Sequence, residues 1–345
     1  MSVSKKLQRQ FKKSFGNADF DQELLEAITH LRSLPTLTPD QEKMVQFIEG
    51  FQVFTETVQA AYDQADKMLA MANRSLSISS DELNNTNGKL KDLNRTVQTM
   101  LNNLGEGIKA AREIQQSLMP PLHQEFENIL IDVFYHPSED LSGDFFDVYR
   151  QGQWVYFYLA DVTSHGTASA QVTYLIKGIF QEIMSSSPVP LALDFLIKDF
   201  CRRFVDYKLT YAVGLQTYRL DLNSKILEVC ASNAPAPILI RAGASQPISI
   251  TPGPLIFAES FNLDYVFTIQ SVQLQPEDSI YCFTDGAFEL NNTGQVDDFN
   301  ERKFAKLLTQ APHHGWEQSL LKGLQAAAGK SHFDDDITIL RLHLK

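Results

Sequence analysis

Three hydrophobic runs rich in β-forming residues each adjoin an aspartate, and this arrangement constrains the fold more than any other feature of the chain. The three pairs are Asp161 after the run 155–160, Asp285 after the run 280–283, and Asp335 before the run 337–340. A carboxylate at the end of a buried strand is costly unless something neutralises its charge. Because Mg²⁺ and Mn²⁺ prefer oxygen ligands, the aspartates predict a site for hard divalent cations.

A fourth aspartate, Asp144, lies in the segment Leu-Ser-Gly-Asp-Phe-Phe-Asp. A site built from Asp and water, without a His or Cys cluster, suggests a hydrolase that acts on phosphate through a metal-bound hydroxide. Each motif also has a simpler interpretation when it is judged alone. The Asp-Gly at 285–286 is a turn signal, Asp144 could cap a turn, and the triple aspartate 334–336 could be a solvated loop. The prediction therefore depends on the set of four motifs.

Together the four motifs resemble the bacterial SpoIIE/RsbU branch of the PPM metal-dependent serine/threonine phosphatases. That branch reads roughly Gly-Gly-Asp-Phe-Tyr-Asp, then Asp-Val-Ser-Gly-His-Gly, then Thr-Asp-Gly-x-x-Glu, then Asp-Asp-x-Thr. The corresponding segments here are 142–147, 161–166, 284–289 and 335–338. The lead-in segment 111–120, Ala-Arg-Glu-Ile-Gln-Gln-Ser-Leu-Met-Pro, is also similar, so the resemblance covers about residues 108–345.

The resemblance implies a metal-binding role for each aspartate. Asp161 is expected to bridge two Mn²⁺ or Mg²⁺ ions. The backbone carbonyl of Val162 and the Asp144 carboxylate would bind one ion, and Asp285 and Asp335 would bind the other. A water between the ions would then attack phosphorus in line, without a phospho-enzyme intermediate.

Three further residues are candidates for supporting roles. Asp147 lies three residues after Asp144, and Asp336 occupies the second acidic position of Asp-Asp-x-Thr; both are expected to support the metal ligands rather than bind the metal directly. His165 is the only histidine within a motif, and its ordinary pKa near 6.5 would suit protonation of a leaving serine alkoxide. Its catalytic role is a hypothesis, because the branch does not always carry His at this position. Thr338 is expected to pack in the last strand.

The chain departs from the branch pattern at three places. Ser142 replaces the first Gly of Gly-Gly-Asp, and Ser164 replaces the Gly before His165. The segment 232–237, Ser-Asn-Ala-Pro-Ala-Pro, lacks the Gly-His of the corresponding branch loop. None of these changes removes an expected metal ligand, but all fall where a protein substrate would approach, so substrate specificity stays open.

The residues before about 118 are expected to be helical and to form two regions. A short helix should end before Pro35, and a second should begin at Thr38 with Pro39 at an early position. Residues 75–80 are a plausible break or cap. We therefore predict a helical regulatory and dimerisation region over 1–80, with a weak resemblance to the helices that precede bacterial signalling domains.

A heptad pattern predicts a coiled-coil linker helix over 81–118. Its seams are Leu90, Val97, Leu104, Ala111 and Leu118, with Leu93, Met100 and Ile114.

Residues 119–345 are predicted to form the phosphatase domain. Strands are expected at 129–135, 154–159, 211–218, 226–231, 238–241, 267–274, 279–283 and 337–342, and helices at about 167–184, 190–206, 302–310 and 315–328. Helices inserted among many strands indicate an α+β fold. The resemblance implies a four-layer αββα sandwich, here preceded by the α-helical coiled-coil region.

Composition narrows the functional classes. The net charge of −12 argues against a nucleic-acid partner, because phosphate binding requires clustered Lys and Arg. Three cysteines without metal-ligand spacing are typical of reduced thiols. No apolar stretch approaches the ~18 residues of a transmembrane helix, and the basic segment 4–13 has no apolar run of a secretory signal after it. These features predict a cytoplasmic protein.

The leading hypothesis is a phosphatase that removes phosphate from serine or threonine of a regulatory partner, and that dimerises through its N-terminal helices. The resemblance implies a partner like an anti-sigma-factor antagonist, a STAS-type protein. Two alternatives remain open: a non-catalytic scaffold, or pseudophosphatase, that binds partners through the helices, and a phosphatase of small phosphate esters. The histidines outside the motifs are expected to be exposed and show no ligand-like spacing.

Overall fold

The computed structural model describes residues 13, 20–163, 166–187, 189–290 and 299–345. Ser164, His165 and nearly all of the basic segment 4–13 lie outside these residues. The chain divides into two compact units, one up to Met100 and one over Leu101–Lys345. The second unit thus begins within the predicted linker helix.

The first unit contains helix α1 (Phe20–Arg32) and most of helix α2 (Pro39–Leu118). Helix α1 ends before Pro35, as predicted. At the start of α2, the backbone N–H of Thr38 donates to Gln41 Oε1 over 2.8 Å and the N–H of Gln41 donates to Thr38 Oγ1 over 3.4 Å, which is the reciprocal pair of a capping box. Ile28 and Ile48 are the buried apolar residues of the described part of this unit, so only the beginning of α2 has a core of its own.

Helix α2 runs without interruption over 80 residues, so the predicted break at 75–80 is wrong. The segment contains neither Pro nor Gly, and a Ser in a helix costs only a few tenths of a kcal/mol relative to Ala. Such a helix is about 120 Å long. Its heptad seam is exposed in the single chain, with Leu90 at 59%, Leu93 at 62% and Leu104 at 59% exposure.

The second unit is built from two antiparallel sheets. The strands are β1 (His123–Phe126), β2 (Ile129–His136), β3 (Asp144–Gln151), β4 (Trp154–Val162), β5 (Ala212–Asp221), β6 (Ile226–Ser232), β7 (Ile238–Arg241), β8 (Ala244–Pro247), β9 (Ile256–Phe257), β10 (Gln270–Gln273), β11 (Ser279–Phe283) and β12 (Ile337–Leu344). One sheet has the order β1-β2-β12-β11-β7-β8, and the other β10-β6-β5-β4-β3 with β9 paired to β5.

Helices cover the outer faces of both sheets. They are α3 (Thr167–Ser186), α4 (Leu193–Asp206), α5 (Glu301–Gln310) and α6 (Trp316–Ala328). Helices α3 and α4 pack on the β3–β6 sheet through residues such as Phe180 and Phe200, whereas α5 and α6 pack on the β11–β12 sheet through Phe304 and Leu320. A third core fills the space between the sheets. The predicted α+β fold with four αββα layers is confirmed.

The observed elements differ from the predicted ones at several positions. The sequence interpretation missed β1, β3, β8 and β9, and of the predicted strand 267–274 only β10 is regular. Phe267 instead turns its ring against the rings of Phe261 and Tyr265. The missed strand β3 matters most for function, because it begins at Asp144.

The end of α2 is part of the second unit. Gln115 is buried, and its amide both donates to the carbonyl of Ser142 over 2.8 Å and accepts from the N–H of Ser142 over 3.1 Å. Tyr174 on α3 donates to the carbonyl of Ala111 over 2.8 Å. The lead-in segment is thus hydrogen-bonded to Ser142, two positions before Asp144.

Within the described residues, none of the helices combines the length and the apolar character that crossing a bilayer requires.

Candidate metal centre

The pairing of β3 with β4 brings the first two motifs together. Asp144, the first residue of β3, lies directly opposite Asp161 near the end of β4. Side chains of directly opposed residues in an antiparallel pair lie within about 5.5 Å at Cβ. Two motifs that are separated along the chain therefore share one end of the sheet.

The pairing of β11 with β12 brings the other two motifs to the facing sheet. Asp285 begins a short 3₁₀ turn just after β11, and Asp335 lies just before β12. Gly286 makes this approach possible, because a Cβ at this position would lie 2.1 Å from the carbonyl oxygen of Asp336. We refer to Asp144, Asp161, Asp285 and Asp335 as the carboxylate centre.

A cleft of about 280 Å³ opens over three of these residues. Its walls contain Asp161, Val162, Thr163, Gly214, Asn233, Leu255, Asp285, Asp334 and Asp335. Asp144 lies behind the cleft and is 2% exposed. The predicted ligand Val162 therefore lines the same cleft as three of the four aspartates.

The electrostatics of the carboxylate centre are those of crowded acids, of which Asp144 is buried, Asp161 and Asp285 are half-buried and Asp335 is exposed. Burial first, and then the nearby carboxylates of Asp285, Asp335 and Asp336, raise the pKa of Asp161 to about 8. Burial and the charges of Asp161 and Asp336 hold the pKa of Asp144 well above its ordinary value. These shifts express the cost of placing several negative charges together away from water.

The donor set fits hard divalent cations. In the part of the chain that the structure describes, none of Asp144, Asp161 and Asp285 forms an ion pair with Lys or Arg. Several carboxylate oxygens around one cleft, beside a backbone carbonyl, are the ligands that Mg²⁺ and Mn²⁺ prefer.

Two threonines fix the Asp144 carboxylate. The hydroxyls of Thr284 and Thr338 donate to the same oxygen, Oδ2, over 2.8 and 2.7 Å. Thr338 is buried in β12, as predicted, but its hydroxyl also has this contact. The signal was available in the sequence, because Thr precedes Asp285 in one motif and ends the Asp-Asp-x-Thr motif.

Asp336 organises the loop that leads to Asp144. Its carboxylate accepts hydrogen bonds from the backbone N–H of Ser138 over 2.8 Å and of Gly143 over 2.7 Å. Asp336 is itself buried. The contacts agree with the expected supporting role, since they fix the backbone beside a candidate ligand.

Asp147 does not join the carboxylate centre, and this corrects the expectation for it. Three positions along a strand place two side chains on opposite faces, so Asp147 points away from the face that carries Asp144. Its Oδ2 lies 2.6 Å from Nζ of Lys177 on α3. The spacing would have favoured a shared role only on a helical turn, and the segment is a strand.

Of the positions that depart from the branch pattern, the loop 232–237 contributes to the cleft. Asn233, in the loop that lacks Gly-His, lines the cleft. Gly214 on β5 allows this loop to approach, since a Cβ there would lie 2.7 Å from the carbonyl oxygen of Asn233. Ser164 and the hypothesis for His165 lie outside the described residues.

The expectation for the remaining histidines needs a correction. His343 is 8% exposed, and its side chain lies near those of His313 and Glu277. The sequence gives no signal for this cluster, because the three residues are far apart along the chain.

Comparisons with known proteins agree with this fold. The family model for Stage II sporulation protein E (SpoIIE) matches residues 151–345. The phosphoserine phosphatase RsbP of Bacillus subtilis is 23% identical over 246 residues, which are 69% of this chain and 58% of RsbP. The chain thus spans little more than half the length of that relative.

Two solved structures have the same architecture. The SiaA-PP2C domain of Pseudomonas aeruginosa is 18% identical with a TM-score of 0.59, and the match covers 71% of this chain and 98% of that domain. The PP2C phosphatase domain and regulatory fragment of SpoIIE from Bacillus subtilis is 13% identical with a TM-score of 0.54, over 65% of this chain and 62% of that one. At these identities the likeness concerns the fold. The family-model match covers more than half of the chain, which therefore belongs to the Stage II sporulation protein E (SpoIIE) family.

Proposed function

We propose that this chain is a Mg²⁺- or Mn²⁺-dependent protein serine/threonine phosphatase. One observation carries the proposal. Three motifs that lie far apart in the sequence contribute Asp161, Asp285 and Asp335 to a single cleft, with Asp144 of a fourth motif buried directly behind Asp161. Burial and mutual repulsion raise the pKa of Asp161 there to about 8. A cluster of this kind is stable in its ionised form when cations are bound to it.

The residues divide between two cation positions. Asp161 on β4 interacts electrostatically with Asp144 and also with Asp285 and Asp335, which makes it the candidate bridging ligand. Asp144 and the carbonyl of Val162 would hold one ion, and Asp285 and Asp335 the other. When bound, the two ions supply the positive charge that a phosphate dianion needs and lower the pKa of the water that attacks phosphorus. Thr284 and Thr338 hold Asp144 in place through their hydroxyls.

The substrate is proposed to be a phosphorylated regulatory protein of the anti-sigma-factor-antagonist, or STAS, type. The name of RsbP, a phosphoserine phosphatase, supports the phosphoserine part of this proposal. The cleft is open to solvent and has Asn233 and Leu255 at its wall, which suits a phosphorylated side chain on a protein surface. His165 remains the candidate general acid for the leaving alkoxide.

The chain is further proposed to form a homodimer through α2 and to act in the cytoplasm. The exposed seam of Leu90, Leu93 and Leu104 on a continuous helix is the pattern that two coiled-coil helices bury between them. Because Gln115 near the end of α2 is hydrogen-bonded to the backbone of Ser142, a shift of this helix end would move the segment before Asp144. Deletion of residues 1–100 tests this part, since it should change both turnover and the oligomeric state; an equally active monomer would contradict it.

The catalytic proposal is tested by hydrolysis of a phosphoserine peptide and of p-nitrophenyl phosphate with Mn²⁺, Mg²⁺ or EDTA. Loss of several kcal/mol of transition-state stabilisation corresponds to roughly a 10³-fold lower kcat/KM, which we expect for Asp285→Asn. Asp194→Asn, at an exposed position in the first turn of α4, is the matched control and should retain activity.

The outcomes separate the alternatives. Hydrolysis of p-nitrophenyl phosphate but of no phosphopeptide would favour a phosphatase of small esters. A folded wild-type dimer without activity in any metal would favour the non-catalytic scaffold.

A further inference from the structure

A second group of metal-binding side chains lies at the opposite end of the β11–β12 pair. Glu277 comes from the turn before β11, His313 from the loop between α5 and α6, and His343 from the end of β12. One potential ligand atom from each lies within 4.8 Å of the others. We refer to these three residues as the His-His-Glu cluster.

The His-His-Glu cluster is separate from the carboxylate centre. His343 pairs with Ser279 at the start of β11, whereas Ile339 pairs with Phe283 at its end, beside Asp285. A strand advances about 3.3 Å per residue, so four residues separate the two ends by roughly 13 Å. A single ion cannot serve both groups.

His343 has the surroundings of a metal-binding imidazole. It is buried, its Nδ1 lies 2.9 Å from the Ser279 hydroxyl, and its ring centroid lies 5.2 Å from that of His313, so the ring orientation is fixed beside the second imidazole. Burial, followed by the charge of Arg341, lowers the pKa of His343. The neutral ring, which is the form that binds a metal, is therefore favoured.

The backbone on both sides of the cluster is anchored. The N–H of Glu277 donates to the carbonyl of Leu344 over 2.8 Å. The guanidinium of Arg341 donates to the carbonyl of His313 over 2.9 Å. The side chains of Glu277 and His313 are exposed, so they can turn towards an ion while their backbones remain in place.

We propose that the His-His-Glu cluster binds one Zn²⁺ ion, or a similar transition-metal ion, and so fastens the α5–α6 loop to the end of β12. Two imidazoles and one carboxylate form a known zinc donor set, with a fourth position for water. Imidazole suits Zn²⁺, whereas the all-oxygen carboxylate centre suits Mg²⁺ and Mn²⁺. The two ends of one strand pair thus select different metals, and the zinc end does not depend on the proposed phosphatase activity.

The test measures Zn²⁺ binding to the full chain by calorimetry and by metal content after dialysis. Asp285→Asn and millimolar Mg²⁺ are used together to keep Zn²⁺ from the carboxylate centre. One equivalent of Zn²⁺ is expected. His313→Ala or Glu277→Gln removes a proposed ligand and should lower the affinity by at least the roughly 10- to 100-fold that follows loss of a residue supporting a ligand. Co²⁺ in place of Zn²⁺ should give the absorption spectrum of a site with imidazole ligands.

His314→Ala is the matched control, because His314 is the exposed neighbour of His313 and lies outside the cluster. It should bind Zn²⁺ as the parent does. Both tested substitutions are at exposed positions, and thermal unfolding in EDTA checks that the variants are folded. Absence of Zn²⁺ binding to the folded parent, or equal binding by His313→Ala and His314→Ala, would overturn the proposal.

Discussion

The aspartates of the carboxylate centre and the other buried aspartates of the same domain differ in the partners that the fold gives them. Away from the centre four buried aspartates have a cationic partner: Asp132 has Arg341, Asp147 has Lys177, Asp199 has Arg202 and Arg203, and Asp278 has Arg241. Asp336, next to the centre, instead accepts hydrogen bonds from backbone N–H groups. Among the described residues, Asp144, Asp161 and Asp285 have no Lys or Arg partner. Most buried aspartates of this domain are therefore paired with Lys or Arg, whereas the aspartates at the cleft of the carboxylate centre are not.

The contrast is clearest within one motif. Asp144 and Asp147 are three residues apart on β3, yet only Asp147 meets a lysine, at 2.6 Å. The Asp144 carboxylate instead accepts two neutral hydroxyls, which orient it without cancelling its charge. Unpaired carboxylates raise the free energy of the metal-free fold, and a bound ion recovers that free energy as binding affinity.

The largest effect is expected when a paired aspartate loses its cation. Arg341 and Asp132 are both almost fully buried, with 2.5 Å between guanidinium and carboxylate. Arg341→Met keeps much of the apolar contact with Trp316 but removes the buried cation beside Asp132 and leaves it the exposed His123 as its remaining described partner. We expect the free energy of unfolding to fall by about 3–5 kcal/mol, measured by urea denaturation.

A double variant separates loss of the charge pair from loss of packing. Asp132→Asn combined with Arg341→Met removes both charges and should recover at least half of the lost free energy. If the double variant is as unstable as Arg341→Met alone, lost packing rather than the uncompensated Asp132 charge accounts for the instability.

A substitution beside the carboxylate centre is expected to have a smaller effect, which lowers catalytic activity rather than stability. Thr338→Val keeps the shape of the side chain but removes its 2.7 Å hydrogen bond to Asp144. Loss of a group that orients a metal ligand typically lowers metal affinity or activity 10- to 100-fold. We expect this decrease in kcat/KM, together with a higher Mn²⁺ concentration for half-maximal activity.

Two controls accompany Thr338→Val. Thr338→Ser retains the hydroxyl and should retain most of the activity. Thr217→Val alters an equally buried threonine on β5 that does not contact the carboxylates, and it should leave the Mn²⁺ requirement unchanged. Equal losses in Thr338→Val and Thr338→Ser would show that the hydroxyl is not the important group.

The sequence predicted the fold well where hydrophobic pattern and turn signals agreed. Strands β7 and β11 have the predicted bounds, and all four predicted helices of the second unit are present. The pattern failed for β3, because its polar residues Asp144 and Asp147 are both buried and the run shows no alternation of polar and apolar positions. Each acid has a partner that only the tertiary structure supplies.

The same reason limits what sequence can say about the site. The motifs identified the four aspartates, but the difference between Asp144 and Asp147 depends on Lys177, which lies on a later helix. The His-His-Glu cluster gave no signal, since Glu277, His313 and His343 meet only through strand pairing and loop packing. Short motifs identify residues that act together. The residue that pairs with a buried charge can come from any part of the chain, so a motif does not predict it.

The smallest effect, for a step of one pH unit, is the change in stability of the metal-free protein with pH, and it comes from Asp161. In the folded chain its pKa is about 8, whereas in the unfolded chain the carboxyl titrates near its ordinary value of about 4. Between these values the folded state holds a proton that the unfolded state has released. The stabilisation is therefore complete below about pH 4 and is lost as the pH rises through about 8.

Thermal and urea unfolding in EDTA between about pH 5 and 8 should reveal this slope. One proton accounts for at most about 1.4 kcal/mol of unfolding free energy per pH unit. Asp161→Asn should remove the contribution of Asp161 to the slope. The difference in slope between wild type and variant therefore separates the titration of Asp161 from that of the histidines. Saturating Mg²⁺ should also flatten the wild-type slope, because a bound cation favours the ionised carboxylate. If wild type and Asp161→Asn show the same slope in EDTA, then Asp161 is ionised in the metal-free fold, and the carboxylate centre has a source of positive charge within the chain itself.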